Sequence, residues 1–342
     1  MAETMEMNPA TIKEAKALAK EYYYANQPVY FWGPPGSGKS DAWRQVCKEL
    51  GIGFKDVRLG SKLPEDLTGL PVPDLEAKLA VWLKASFIWP DVEKEGHKGV
   101  ILFDEMSDTS KAVQSVTYQI VLDRCIGEFH LPKGWYPAAA GNRREDRAAA
   151  QAMSTALANR FAHIDIVEDY ACWREWANTA GISPFIIAFL KTHTKLLHRM
   201  DGSDMRAFPT PRSWAAASKF VDRPPGLRNK LIRGLVGPGP AADFETFMKG
   251  INIPDLKEIL ANPKGCRIPP EPGCKYALSS MLAQNINKKN FADVATYLQR
   301  PELGADFEII TVVDAAKRDP DLIETKTYVE FATRNADITL SL

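Results

Sequence analysis

Short apolar runs alternate with amphipathic stretches through the first half of the chain. Five of these runs have the length and character of buried strands: "PVYFW", "FKDVRL", "GVILFDE", "GWYPAAAGN" and "RFAHIDIV". Helical patterns lie between them, and the first covers residues 9–25, where Asn8 can cap the helix and Pro9 suits its first turn. Strands that alternate with helices predict an α/β fold with a parallel five-stranded sheet flanked by helices.

The pattern changes after about Glu168. No further strand is predicted there, and helical patterns such as "YACWREWANTAG" and "PRSWAAASKFV" take over. We therefore predict three parts. Residues 1–168 form an α/β domain, residues 169–251 form an all-helical lid domain, and residues 252–342 form a helical C-terminal extension with one proline-rich loop.

Composition narrows the class of protein. The 43 Lys and Arg residues balance the 43 Asp and Glu residues, so no global basic field points to nucleic acid. No window approaches the roughly 20 apolar residues that a membrane-spanning helix needs, and the N-terminus lacks a signal-peptide pattern. The five cysteines are scattered, without a CxxC pair, which fits a reducing compartment. We therefore expect a cytoplasmic protein.

A glycine-rich turn joins the first strand to the helix that follows it and ends at Gly51. The turn fits the pattern G-x-x-x-x-G-K-[ST], whose glycines let backbone N–H groups converge on a phosphate at a helix N-terminus. In such a loop the lysine reaches the β- and γ-phosphates, and the hydroxyl can ligate Mg²⁺. The sequence thus predicts ATP and Mg²⁺ as cofactors, bound by Gly33, Pro34, Pro35, Gly36, Ser37, Gly38, Lys39 and Ser40.

Two acids end the third apolar run. Asp104 is predicted to join Ser40 in holding Mg²⁺, partly through water, and Glu105 can orient or polarise an attacking water. The alternative is that both residues only begin a loop or cap the next helix. A water-activating glutamate beside the metal aspartate favours a hydrolase over a kinase that acts on a small molecule.

Three further polar residues lie at places where a nucleotide site can use them. Asn142 ends the fourth apolar strand and can touch the γ-phosphate and the attacking water, although asparagine is also common in turns. Arg160 precedes the fifth strand and Arg212 begins a helix after two prolines. Either arginine can stabilise transition-state charge, or can be an ordinary solvated surface residue, as most arginines are. The same two interpretations apply to Arg143 and Arg144.

The order of these features resembles the AAA+ ATPases, and more narrowly their MoxR-like branch, to which the CbbQ and NorQ activators belong. The resemblance covers roughly residues 9–250. By motif match it makes Lys39 and Ser40 Walker A residues and Asp104 and Glu105 Walker B residues. Asn142 corresponds to sensor 1, Arg160 to the arginine finger that enters a neighbouring subunit, and Arg212 to sensor 2.

Two more stretches are similar to that branch. "PEDLTGLPVPDLEAKLAVWLKASFIWP" lies where these proteins carry an insert that reaches the ring pore, and "LDRCIGEFHLPKGWYPAAAGN" resembles their hairpin before sensor 1. The alternatives are an ordinary packed hairpin and a loop that closes the sheet edge. Residues 252–342 match no part of the branch.

The resemblance implies an Mg-ATP-hydrolysing ring, a hexamer, that acts as a chaperone to remodel or activate a protein client, commonly with a von Willebrand factor A (VWA) domain partner. A second hypothesis is an AAA+ ATPase that acts on nucleic acid, such as a helicase loader or a phage replication or transposition factor. A small-molecule kinase is disfavoured by Glu105 and by the sensor-like order of Arg160 and Arg212. A structural role without hydrolysis is disfavoured because the residues of the active-site motifs are intact.

Overall fold

The chain divides into two compact units, Met1–Glu168 and Asp169–Leu342. The structure, a computed structural model, describes residues 8–143, 146, 153, 155–200 and 206–335. The expected border between a lid domain and an extension at residue 252 stays a prediction.

The first unit is built on six strands that all run parallel, in the order β1-β10-β2-β9-β6-β3. Its strands are β1 Pro9–Ala10, β2 Val29–Trp32, β3 Gly53–Arg58, β4 Leu70–Asp74, β5 Leu79–Leu83, β6 Gly99–Asp104, β7 Cys125–Ile126, β8 Phe129–His130, β9 Trp135–Gly141 and β10 Ala162–Ile166. Its helices are α1 Ile12–Tyr24, α2 Lys39–Leu50, α3 Pro64–Thr68, α4 Val92–Glu95, α5 Lys111–Asp123 and α6 Thr155–Ala158. The expected α/β fold is confirmed.

The predicted strand count of five is wrong, because Pro9–Ala10 forms a sixth strand at the sheet edge, beside Asp165 and Ile166. This pair was expected to open the first helix. The helix begins later, because Thr11 is its N-cap and forms a capping box with Glu14, in which each residue accepts a hydrogen bond from the other's backbone N–H. The Asn8 side chain, expected as the cap, donates instead to the His163 carbonyl at 3.1 Å.

Strand β6 shows how the sheet is covered on both faces. Its four apolar residues are fully buried, and they alternate between two hydrophobic cores. Val100 and Leu102 belong to the core beneath α1 and α2, whereas Ile101 and Phe103 belong to the core that includes side chains of α5. A strand buried on both faces has a continuous apolar run in place of an alternating one. This explains why the sequence pattern located β6.

Two antiparallel hairpins stand outside the main sheet. β4 pairs with β5 within the stretch similar to a pore insert, and β7 pairs with β8 just before β9. Apolar side chains of the first hairpin are exposed to solvent, with Leu70 at 64% and Trp82 at 42% of their full exposure. The hairpin is therefore not packed into the hydrophobic cores of its own unit.

The second unit is helical throughout its described residues. Its helices are α7 Tyr170–Thr179, α8 Pro184–Thr192, α9 Pro211–Ala217, α10 Pro225–Val236, α11 Pro238–Gly250, α12 Leu256–Ala261, α13 Pro272–Asn285, α14 Phe291–Leu298, α15 Ala305–Arg318 and α16 Lys326–Arg334. This confirms the expected helical region after Glu168. None of the helices in the described ranges combines the length and apolar character needed to cross a membrane.

A buried polar network ties α7 to α15 inside this unit. Arg174 donates to Asp314 at 3.1 Å, and the Asn178 amide donates to the other carboxylate oxygen at 2.8 Å. Burial raises the pKa of the Asp314 carboxyl, and Arg174 partly offsets that rise. Because α7 precedes residue 252 and α15 follows it, this network joins helices on the two sides of the expected border at residue 252.

Candidate functional site

The phosphate-binding pattern occupies the turn between β2 and α2. Gly36 and Gly38 have φ angles of 80° and 93°, in the left-handed region of backbone conformations that residues with a Cβ rarely adopt. Gly38 is also the N-cap of α2. The loop therefore needs glycine at both positions, and it ends at a helix N-terminus, where backbone N–H groups and the helix dipole favour an anion.

Lys39 lies at the centre of this loop and is almost fully buried. Its ammonium group donates to the carbonyls of Gly33 and Pro34 at 2.7 and 2.9 Å, and to the Asn142 side-chain oxygen at 3.1 Å. A buried ammonium needs such partners, because its desolvation is otherwise costly. Phosphate oxygens can take the place of these acceptors, so the loop is suited to hold a nucleotide.

Ser40 and Asp104 meet beside the lysine. The Ser40 hydroxyl donates to the Asp104 carboxylate, whose second oxygen accepts the Glu105 backbone N–H at 2.9 Å. Hydroxyl and carboxylate oxygens are the ligand types that Mg²⁺ takes, usually few from the protein and the rest from water and phosphate. The donor set fits Mg²⁺. Within the described ranges, no group of three or more His, Cys, Asp or Glu residues could hold a metal by itself.

Glu105 has a left-handed backbone, with φ of 59°, and an exposed side chain. Its carboxylate lies over Gly60, where an added Cβ would stand 2.5 Å from Oε2. A left-handed conformation is uncommon for a residue other than glycine and is often found at functional sites. Sequence analysis missed Gly60, because an exposed glycine in a turn has no feature that points to Glu105, a partner 45 residues away.

Asn142 follows β9 and is held by two residues that sequence analysis also missed. Its backbone N–H donates to the Ser107 hydroxyl at 2.8 Å, and its side-chain amide donates to Asp108 at 2.9 Å. Ser107 and Asp108 belong to a single turn of 3₁₀ helix, Met106–Asp108, directly after Glu105. The sheet order puts β9 between β2 and β6. The carboxyl ends of these three strands therefore bring Lys39, Ser40, Asp104 and Asn142 together.

Arg160 lies at the other end of the sheet from this group. It precedes β10, whose first residue Ala162 pairs with Val29, four residues before the phosphate-binding loop. At about 3.3 Å per residue, this separates Arg160 from the loop by more than about 13 Å along the strands. Its guanidinium donates to the Tyr118 hydroxyl at 3.3 Å and stacks over that ring. Arg160 is thus too far away to serve the loop of its own chain.

The remaining arginines have different surroundings. Arg212 is exposed in the first turn of α9, in the second unit. Arg143 is a mostly buried residue in the first unit, where it donates to the Ile166 carbonyl at 3.2 Å and pairs with Asp146. Arg144 lies outside the described residues.

The end of the sheet that carries Asp104 is rich in negative charge. Burial raises the pKa of the Asp56 carboxyl on the edge strand β3, and the negative charge of Asp104 raises it further. Arg44 and Arg58 approach Asp56 at 3.6 and 3.9 Å and counter part of this effect. Carboxylates that lie close together at one end of the sheet attract a divalent cation. A nucleotide phosphate also needs such a cation, to balance its negative charge.

Comparison with known proteins finds one family that matches part of the chain. Residues 29–129 match the model of the family described as ATPase family associated with various cellular activities (AAA). This stretch contains the phosphate-binding loop, Asp104 and Glu105. This stretch of the chain is therefore similar to AAA-family ATPase domains, and it lies in a unit with a P-loop α/β fold. No curated protein is similar enough in sequence to count as a relative.

Solved structures with a similar arrangement of elements are remote. The RuvB Holliday junction branch migration motor of Thermotoga maritima is 15% identical, with 84% of this chain and 75% of that chain covered and a TM-score of 0.33. A putative ATPase from Cytophaga hutchinsonii is 14% identical, with 89% and 79% covered and a TM-score of 0.36. NtrX of Brucella abortus, in complex with ADP, is 13% identical, with 95% and 67% covered and a TM-score of 0.36.

Proposed function

We propose that this protein is a magnesium-dependent ATP hydrolase that works as a ring and remodels a protein partner. The observation that supports hydrolysis most is that two pairs of contacting side chains meet at the carboxyl ends of β2, β9 and β6. Lys39 contacts Asn142 and Ser40 contacts Asp104, with Glu105 directly beside them. Mg²⁺, held by Ser40 and Asp104, would neutralise phosphate charge and help to orient the γ-phosphate.

The proposed step is a displacement at the γ-phosphorus by water. Glu105 accepts a proton as the water oxygen bonds to phosphorus, and the bond to the β–γ bridging oxygen breaks. ADP and inorganic phosphate are the products. Lys39 stabilises charge on the phosphate oxygens, and Asn142 orients the attacking water.

We propose that Arg160 completes the site of a neighbouring subunit, which makes a hexameric ring of this chain the active form. The support is its position, more than about 13 Å from its own loop.

Assemblies made only of Glu105→Gln or only of Arg160→Ala subunits should be inactive. Random mixing at equal amounts should restore roughly a quarter of the wild-type rate, because about a quarter of interfaces then carry both intact groups. No recovery on mixing would argue against a shared site. Arg212 is proposed as sensor 2, without assignment to its own or a neighbouring site.

A protein is the proposed partner because the β4–β5 hairpin exposes apolar side chains. Leu70, Leu79 and Leu83 share one face of the hairpin, and Trp82 lies on the other. All four are more than a third exposed. Contiguous exposed apolar surface, of the kind on the first face, commonly marks a site for another macromolecule. The MoxR-like resemblance adds a chaperone role and a VWA-domain partner to this proposal. None of the five cysteines, all of which are described in the structure, is joined to another by a disulfide, which supports a cytoplasmic location.

Action on nucleic acid is the second candidate, and one observation favours it. Residues 191–233 contain ten Lys and Arg residues against three Asp residues, although the whole chain is neutral. Arg212, Lys219 and Arg223 in this stretch are exposed. A local excess of cations attracts phosphate backbones.

The rate of ATP hydrolysis decides between the two partners. It should be measured alone, with single-stranded or duplex DNA, and with an unfolded protein. The proposal predicts stimulation by the protein and a loss of that stimulation in a variant with Leu79→Ser and Trp82→Ser. Strong stimulation by DNA, lost with Lys219→Ala and Arg223→Ala, would overturn the protein-remodelling proposal in favour of the second candidate.

A further inference from the structure

Asp108 and Asn142 face each other across the ends of β6 and β9. The Asn142 amide nitrogen donates to Asp108 Oδ2 at 2.9 Å, and the Ser107 hydroxyl donates to Asp108 Oδ1 at 3.1 Å. The same hydroxyl accepts the Asn142 backbone N–H at 2.8 Å. Asp108 and Ser107 therefore hold both the backbone and the side chain of Asn142.

This arrangement permits one orientation of the Asn142 amide. With the nitrogen toward Asp108, the amide oxygen faces Lys39 and accepts from its ammonium at 3.1 Å. The flipped amide would point its oxygen at a carboxylate and its N–H groups at an ammonium, so both hydrogen bonds would be lost. Hydrogen bonds to charged groups are stronger than those between neutral groups, so the carboxylate of Asp108 selects the orientation.

We propose that Asp108 is a positioning residue for ATP hydrolysis, which fixes the Asn142 amide and, through it, the ammonium of Lys39. This inference rests on the proposed hydrolase function. Asp108 need not touch the nucleotide for this role. It acts through a chain of charge-assisted contacts from carboxylate to amide to ammonium.

The test compares Asp108→Ala with Asp108→Asn, and measures kcat and the dissociation constant of a fluorescent ATP analogue. The alanine variant loses the acceptor, and its kcat should fall about 10- to 100-fold, which is the range for a misplaced catalytic group. Nucleotide affinity should change less than about threefold, because the loop itself is intact. The asparagine variant keeps an acceptor oxygen, and its kcat should stay within about threefold of wild type.

A double-mutant cycle separates positioning from a general structural effect. In an Asn142→Ala background, Asp108→Ala should lower kcat by less than about twofold, because the group that it positions is gone. Unfolding in urea checks that each variant is folded. If the decreases in kcat caused by Asp108→Ala and Asn142→Ala add in full in the double variant, the role of Asp108 is overturned. A wild-type kcat in the folded Asp108→Ala variant would overturn it as well. A wild-type chain that binds ATP without hydrolysing it would instead overturn the proposed function, and this inference with it.

Discussion

Gly60 should be required for the placement of the Glu105 carboxylate. In the Gly60→Ala variant the new Cβ would stand 2.5 Å from Glu105 Oε2, about 1 Å closer than the roughly 3.5 Å of an ordinary non-bonded contact. Glu105 is exposed and its side chain can rotate, so Glu105 should yield and not the backbone. The backbone at Gly60 is outside the left-handed region, so alanine brings no conformational strain there.

The expected effect is on the chemical step alone. A displacement of about 1 Å at a catalytic group can lower the rate about 100-fold, which corresponds to about 2.7 kcal/mol in the barrier. Phosphate release under saturating Mg-ATP gives kcat, and titration with a fluorescent ATP analogue gives the affinity, which should be unchanged. The free energy of unfolding should change by less than about 0.5 kcal/mol, because Gly60 is exposed.

Gly226→Ala is the matched control, because a Cβ at Gly226 would meet no atom within 4 Å. It should hydrolyse ATP at the wild-type rate. A wild-type kcat in Gly60→Ala, measured beside a Glu105→Gln variant that has lost activity, would show that Gly60 is not required. In that case the position of the carboxylate over Gly60 has no bearing on the reaction.

Three further predictions concern the packing of the fold and its ionisable groups. Trp43 is fully buried and stacks on Phe31 with ring centroids 5.2 Å apart, so Trp43→Ala should lower the free energy of unfolding by about 3–5 kcal/mol in a urea titration, and a loss below about 1 kcal/mol would contradict this packing. Burial raises the pKa of Asp314 above its unfolded value, so the native state binds the proton more tightly and its relative stability falls as pH rises through the native pKa. Wild type should therefore gain stability relative to Asp314→Asn between pH 7 and pH 4, and a relative loss in urea titrations would mean that the pKa is lowered. Burial also raises the pKa of the Cys47 thiol to about 12, so iodoacetamide at pH 8 should label Cys47 only after unfolding, and mass spectrometry that finds rapid labelling in the native protein would refute the burial.

Local pattern was sufficient for the five long strands and for the phosphate-binding loop. Most strands of the main sheet are apolar runs bounded by turn residues, and the loop combines glycines with Lys39 and Ser40 in a fixed spacing. β1 was missed because Pro9–Ala10 is too short for any periodicity, and it exists only through its pairing with β10.

Contacts between strand ends could not be predicted in the same way. Gly60 meets Glu105 because β3 is the neighbour of β6, and Asp108 meets Asn142 because β6 is the neighbour of β9. Strand order arises from long-range packing, which no short stretch of sequence contains. An aspartate in a turn resembles an ordinary surface residue until its partner is placed beside it.

The most direct measurement is phosphate release from Mg-ATP by the wild type and by Glu105→Gln, with ATP binding followed on the same samples. Glutamine keeps the size of the side chain and the contacts of the loop, but it cannot accept the proton from water. If Glu105 activates the attacking water, the wild type should hydrolyse ATP steadily, and the variant should bind ATP equally well but hydrolyse it at least about 100-fold more slowly. Equal hydrolysis by both proteins would contradict this role of Glu105.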